Sequence, residues 1–92
     1  MTAENQALQD IEDLRSEIDG IDEHIVALLN QRAEKSLAIR ALKSQSQLGL
    51  YDPKREEEIF ARLASYNHGP LYSDDLRTIW ESILRVAKEM RG

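Results

Sequence analysis

From Ile11 onward the apolar residues recur at alternating intervals of three and four: Ile11, Leu14, Ile18, Ile21, Ile25 and Leu28, with Ile39 and Leu42 resuming the series. That repeat is the seam of a coiled-coil helix. The first proline is Pro53, and Gly20 is the only glycine before Gly49, so the spacing predicts one helix from about Asn5 to Ser46. Gly20 weakens such a helix by about 1 kcal/mol relative to alanine without breaking it. A helix of some forty residues spans roughly 60 Å, whereas a compact monomer of this size is about 30 Å across. Much of its seam would then have nothing of its own chain to cover it. A second chain is required, and a two-fold homodimer is the commonest solution.

The chain has 92 residues, which predicts a single small domain over 1–92, near the size at which one core is only marginally stable. Hydrophobic residues make up 41% and charged residues 32%, with only four Gly and two Pro, the balance of a folded, mostly helical protein. A net charge of −5 argues against nucleic-acid and anionic-membrane partners, which need a broadly basic surface. There is no cysteine, so disulfides and thiolate metal sites are out of reach. No apolar run approaches a membrane span, and the opening MTAENQALQDIED lacks the pattern of a secretion signal. A cytoplasmic location is the expectation.

After the turn-like SQSQLGL, Asp52-Pro53 marks a second helix start, with Asp as N-cap and Pro at the first helical position. This helix is expected to run to about Tyr66, with Ile59, Phe60, Leu63 and Ala64 on one stripe. Asn67-His68-Gly69-Pro70 ends it, Gly69 suiting a left-handed position and Pro70 preventing continuation. Ser73 is the predicted cap of a third helix, with Asp74 and Asp75 in its first turn and an apolar face of Leu76, Ile79, Trp80, Ile83, Leu84, Ala87 and Met90. The fold class is therefore all-α, three helices per chain with one very long, in an intertwined homodimer.

Several cations break these patterns. Past Leu28 the seam lands on Arg32 and Lys35 before Ile39, and a half-buried cation is costly unless an anion meets it. For Lys35 an outward turn or a snorkelling stem is an equal alternative. Lys43 lies three turns beyond Arg32, about 16 Å along the same face, which leaves room between two long side chains for a small organic anion. Arg15 is about 25 Å from Arg32, too far for the same ligand within one chain. It either pairs with Asp19 on the surface or, in a crossed dimer, completes a partner's site. The stretch YDPKREEE puts Arg55 where a capping box would hold Glu or Gln, with Glu56 one residue later. A cation in the first turn opposes the helix dipole, so Arg55 either pairs with Glu58 or Glu12 or faces an anionic ligand.

Taken together, LRSEID around Arg15, ALLNQR ending at Arg32, IRALK ending at Lys43 and YDPKREEE with Asp52, Arg55 and Glu56 resemble the all-helical, type II chorismate mutases. The likeness runs from about Ile11 to Met90 and includes the NHGP turn and the Trp80-to-Leu84 segment. It implies an intertwined dimer with two equivalent sites, no cofactor and no metal, and the pericyclic conversion of chorismate to prephenate in the shikimate pathway to Phe and Tyr. Carried over, Arg15 would come from the partner chain to one substrate carboxylate and Arg32 from the home chain to a carboxylate. Lys43 would donate to the ether oxygen and a carboxylate, Asp52 and Glu56 would hold the ring hydroxyl, and Arg55 would support the carboxylate side. Two positions depart from the family. Ala87 replaces a small hydroxyl residue, and Arg91 stands where a Gln or Glu normally meets the ether oxygen. Arg91 is also a donor, but near a fraying terminus, which implies activity that is retained yet weakened, or dependent on a C-terminal partner or fused shikimate-pathway domain.

Two alternatives stay open at this level. One is pyruvate elimination from isochorismate on the same fold, against which the Asp52 and Glu56 pair and the extended DPKREEE helix start weigh. The other is a non-catalytic helical dimer acting as a regulatory module. His24 and His68 lie off the seam and in a turn, and Trp80 and Phe60 are expected in the core. Lys54, Glu57 and Glu58 belong to the solvated face.

Overall fold

Three helices carry the described residues: α1 (Ala3–Ser44), α2 (Pro53–Tyr66) and α3 (Ser73–Glu89). The structure is a computed structural model and describes residues 2–44 and 52–90. The predicted turn SQSQLGL lies outside the described residues beyond Ser44. None of the described helices is long and apolar enough to cross a membrane. The chain divides into two units, Met1–Lys35 and Ser36–Gly92.

The start of α1 is earlier than the apolar repeat indicates, because Thr2 caps it. Its Oγ1 accepts from the Asn5 N–H at 3.1 Å, and its carbonyl accepts from the Gln6 N–H at 3.0 Å. In the unit Met1–Lys35 the seam is uncovered: Ile11, Leu14, Ile18, Ile21, Ile25 and Leu28 are all exposed.

In the unit Ser36–Gly92, α2 and α3 are joined by a turn organised by Asn67. Its Oδ1 accepts from Gly69 N–H at 3.0 Å, and its Nδ2 donates to the Leu71 carbonyl at 2.8 Å and to Ser73 Oγ at 3.2 Å. Gly69 takes φ 77°, the left-handed conformation that glycine adopts without strain. The expectation that Ser73 caps α3 is corrected: Ser73 is the first helical residue, and Tyr72 is the N-cap without a side-chain bond. The Ser73 hydroxyl is engaged by Asn67, while the Tyr72 carbonyl accepts from Asp75 and Leu76 N–H.

Leu84 is 8% exposed and is the one buried apolar side chain among the described residues. Ile59, Phe60, Leu63, Leu76, Trp80 and Ile83 are half-buried, whereas Ala64 and Ile79 of the predicted stripes are exposed. Arg77 ties α3 to α2, its guanidinium carbon 4.0 Å from the centre of the Phe60 ring, with Nη2 3.5 Å from Glu57 and Nε 3.3 Å from Glu81. Glu57 is thus partnered as well as solvated.

Replacing Leu84 by Ala is expected to cost about 3 kcal/mol in urea unfolding, the usual loss for a buried leucine. Gly20→Ala is expected to raise stability by about 0.5–1 kcal/mol, since an added Cβ meets nothing within 4 Å among the described residues. A loss on Gly20→Ala would mean that another chain lies against that backbone.

Candidate functional site

The start of α2 places three of the predicted site residues in one turn. Asp52 is the N-cap, and its Oδ1 accepts from the Arg55 N–H at 3.0 Å. The Glu56 N–H donates to the Asp52 carbonyl at 3.2 Å, and Pro53 occupies the first turn, where a missing N–H costs nothing. The capping bond needs only the backbone N–H of the third helical residue, so an arginine there does not weaken it. The Arg55 guanidinium stands 3.7 Å from Glu58, with both side chains at least half exposed, a contact worth little. Its charge is therefore not consumed by a buried partner.

Glu56 is the most enclosed of the three. Its side chain is 24% exposed, and Oε2 lies 2.8 Å from Lys88 Nζ on α3. The turn of α3 that carries Lys88 is itself held from α1. Arg40 Nη2 donates to the carbonyls of Ala87 at 2.8 Å and Lys88 at 3.0 Å, and Nη1 donates to that of Met90. These are carbonyls a helix end leaves without intrahelical partners, and a cation there also complements the dipole. Arg40 and Lys88 lack the pattern break that singles out Arg32 or Arg55. The only available signal is indirect: no Gly or Asn follows Glu89 immediately to close α3, so its last carbonyls need donors from elsewhere.

Lys43 is half-buried in the last turn of α1, a favourable place for a cation. In the unit Met1–Lys35, Arg32 is half-buried and Lys35 exposed, as an outward-turned Lys35 requires. Arg15 is exposed and pairs with Glu12 at 3.0 Å rather than with the expected Asp19. Positions three and four apart are both helix neighbours, and the choice falls to Glu12. The structure thus brings Asp52, Arg55 and Glu56 together with Lys88. Arg91 lies outside the described residues; the carbonyl of Ala87, the other departing position, accepts from Arg40.

Comparisons with known proteins converge on one family. The family model for chorismate mutase type II matches residues 14–91. A bifunctional chorismate mutase/prephenate dehydratase of Aquifex aeolicus is 42% identical over 60 residues, covering 65% of this chain and 17% of that protein. Its namesake in Neisseria gonorrhoeae is 34% identical over 70 residues, covering 76% and 19%. The chain therefore spans less than a fifth of the length of these curated relatives, 17% and 19%. Among solved structures, chorismate mutase of Thermus thermophilus in form II superposes with TM-score 0.86 at 33% identity, over 88% of this chain and 92% of that one. Chorismate mutase of Helicobacter pylori, in complex with prephenate, superposes with TM-score 0.80 at 32% identity, over 88% of both chains.

The two duties open to Asp52 separate by substitution. Asp52→Asn keeps a capping oxygen and is expected to leave stability within about 0.5 kcal/mol, whereas Asp52→Ala should cost about 1 kcal/mol. Thermal unfolding of the two variants checks the cap independently of any ligand.

Proposed function

The chain belongs to the chorismate mutase type II family, and from that premise we propose that it catalyses the [3,3] rearrangement of chorismate to prephenate, within aromatic amino acid biosynthesis. The observation that carries this is the family match over residues 14–91, a span holding every cation and carboxylate assigned to the site. In this reaction a carbon–carbon bond forms as the ether carbon–oxygen bond breaks, all within one molecule. No group is exchanged with the enzyme, so the protein's task is positioning and electrostatics.

Chorismate is a flexible dianion, and holding it in its compact reactive conformer is an orientation task suited to fixed cations. Arg32 of the home chain and Arg15 of the partner chain take its carboxylates, with Arg55 supporting that side. Lys43 and Arg91 donate to the ether oxygen, where negative charge grows in the transition state, and Lys43 also reaches a carboxylate. Asp52 and Glu56 accept from the ring hydroxyl. Asp52 has Oδ1 on the α2 cap and offers its second oxygen. The exposure of Arg15 suits delivery to another chain.

The working unit in this proposal is a homodimer of single 1–92 domains in the cytoplasm. The exposed seam of Met1–Lys35 supports association, since burying each large aliphatic side chain contributes about 1.5–3 kcal/mol. The length of the bifunctional relatives supports a fused or partner domain from the same pathway.

Incubation with chorismate, followed by its loss of ultraviolet absorbance and by product identification, tests the activity. Prephenate is the expected product; pyruvate release from isochorismate would instead favour the lyase, and no turnover of either would favour a non-catalytic dimer. Lys43→Ala is expected to lower kcat by about 100-fold or more, the usual effect of removing a donor to developing charge. Mixing Arg15→Ala chains with Lys43→Ala chains should regain activity, because each heterodimer then holds one site with both residues intact. Heterodimers without recovered activity would place both residues in one chain's site.

A further inference from the structure

Glu56 is held by a chain of contacts that starts on a different helix. Arg40, in the last part of α1, closes the end of α3 by donating to the carbonyls of Ala87, Lys88 and Met90. Among the described residues those carbonyls have no glycine-type cap, since Met90 leaves the helix with extended backbone, and Arg40 takes on the task of holding the final turn. That turn carries Lys88, whose ammonium meets Glu56 Oε2 at 2.8 Å. Among the described residues Glu56 Oε1 makes no hydrogen bond, and Glu56 is only 24% exposed. The ion pair engages one oxygen and leaves the other oxygen's lone pairs able to accept.

We propose that Arg40 and Lys88 are positioning residues for Glu56, Arg40 holding the last turn of α3 and Lys88 the carboxylate, so that Oε1 is preset to accept the hydroxyl of a bound substrate. This rests on the mutase reading above for the identity of that substrate. The arrangement places the effect on binding. The ring hydroxyl is attached beside the carbon whose ether bond breaks, but it makes and breaks no bond of its own, so its contact acts in ground and transition states alike, and its loss raises KM far more than it lowers kcat.

The test uses the full chain with Lys88→Met, Lys88→Arg, Arg40→Gln and the double variant Arg40→Gln/Lys88→Met. Two readouts are taken: KM and kcat for chorismate, and the side-chain carboxylate carbon resonance of Glu56 in protein labelled with carbon-13 glutamate, assigned by its disappearance in Glu56→Gln. Lys88→Met and Arg40→Gln are each expected to shift that resonance in the same direction and to raise KM about tenfold, the worth of one charge-assisted hydrogen bond, with kcat far less affected. The double variant should be no worse than the more affected single one, as for residues acting through one contact, and Lys88→Arg should restore KM. Lys88 is half exposed, so Lys88→Met should leave the unfolding midpoint nearly unchanged, which separates positioning from a purely structural role. If Arg40→Gln does not fold, Arg40→Lys, which keeps the charge and loses the fork, should give the same two shifts in smaller measure. A Glu56 resonance and KM at wild-type values in Lys88→Met, or in the folded Arg40 variant, would overturn the proposal, as would additive effects in the double. A wild type without mutase activity would sink the mutase reading alone, and the Glu56 resonance would still decide the relay.

Discussion

Apolar side chains left in water along α1 set the terms for everything else in this protein. Ile11 to Leu28 form a continuous stripe that the unit Met1–Lys35 does not cover, and the one buried apolar side chain among the described residues, Leu84, lies on α3. A chain of this size gains little from its own core, so the proposed second copy is a requirement of stability before it is one of function. In the proposed dimer Arg15 gains a use. Among the described residues of its own unit it makes an exposed pair with Glu12, and such pairs contribute little.

The second constraint is the end of α3. A helix that stops without glycine leaves carbonyls that water or a donor must satisfy, and Arg40 satisfies three of them. A local need of one helix thereby fastens α3 to the end of α1, while Arg77 fastens it to α2 through Phe60 and Glu57. The carboxylates at the start of α2 are consequently presented from a braced turn. This reconciles an acidic protein with the proposed reaction on a dianion: the assigned cations are few and placed, and the net charge of −5 resides mainly on solvated faces.

Much of this was legible in the residue order. The seam predicted α1, Asp52-Pro53 predicted the start of α2, and Gly69-Pro70 its end. Where the structure departed, a short-range competition had two near-equal outcomes. Arg15 chose Glu12 over Asp19, both one turn away, and Asn67 took the hydroxyl of Ser73 that would otherwise have capped α3. Thr2 extended α1 beyond the apolar repeat because a cap needs only an oxygen and an N–H, which hydrophobic spacing does not register.

Helical period, caps and breakers act over three or four residues, so the order of amino acids alone settled the number and type of elements, marked Arg32 and Arg55 as charges in the wrong place, and set Lys43 three turns along the face from Arg32. Contacts between residues far apart in the chain follow a different rule. Arg40 bonds to Met90, 50 positions later, and Lys88 meets Glu56 from another helix. Neither pairing leaves a trace in local pattern, because a lysine or arginine on a polar face is ordinary until folding brings an unpaired carbonyl or carboxylate within reach. That juxtaposition was decided only by the packing of the three helix ends.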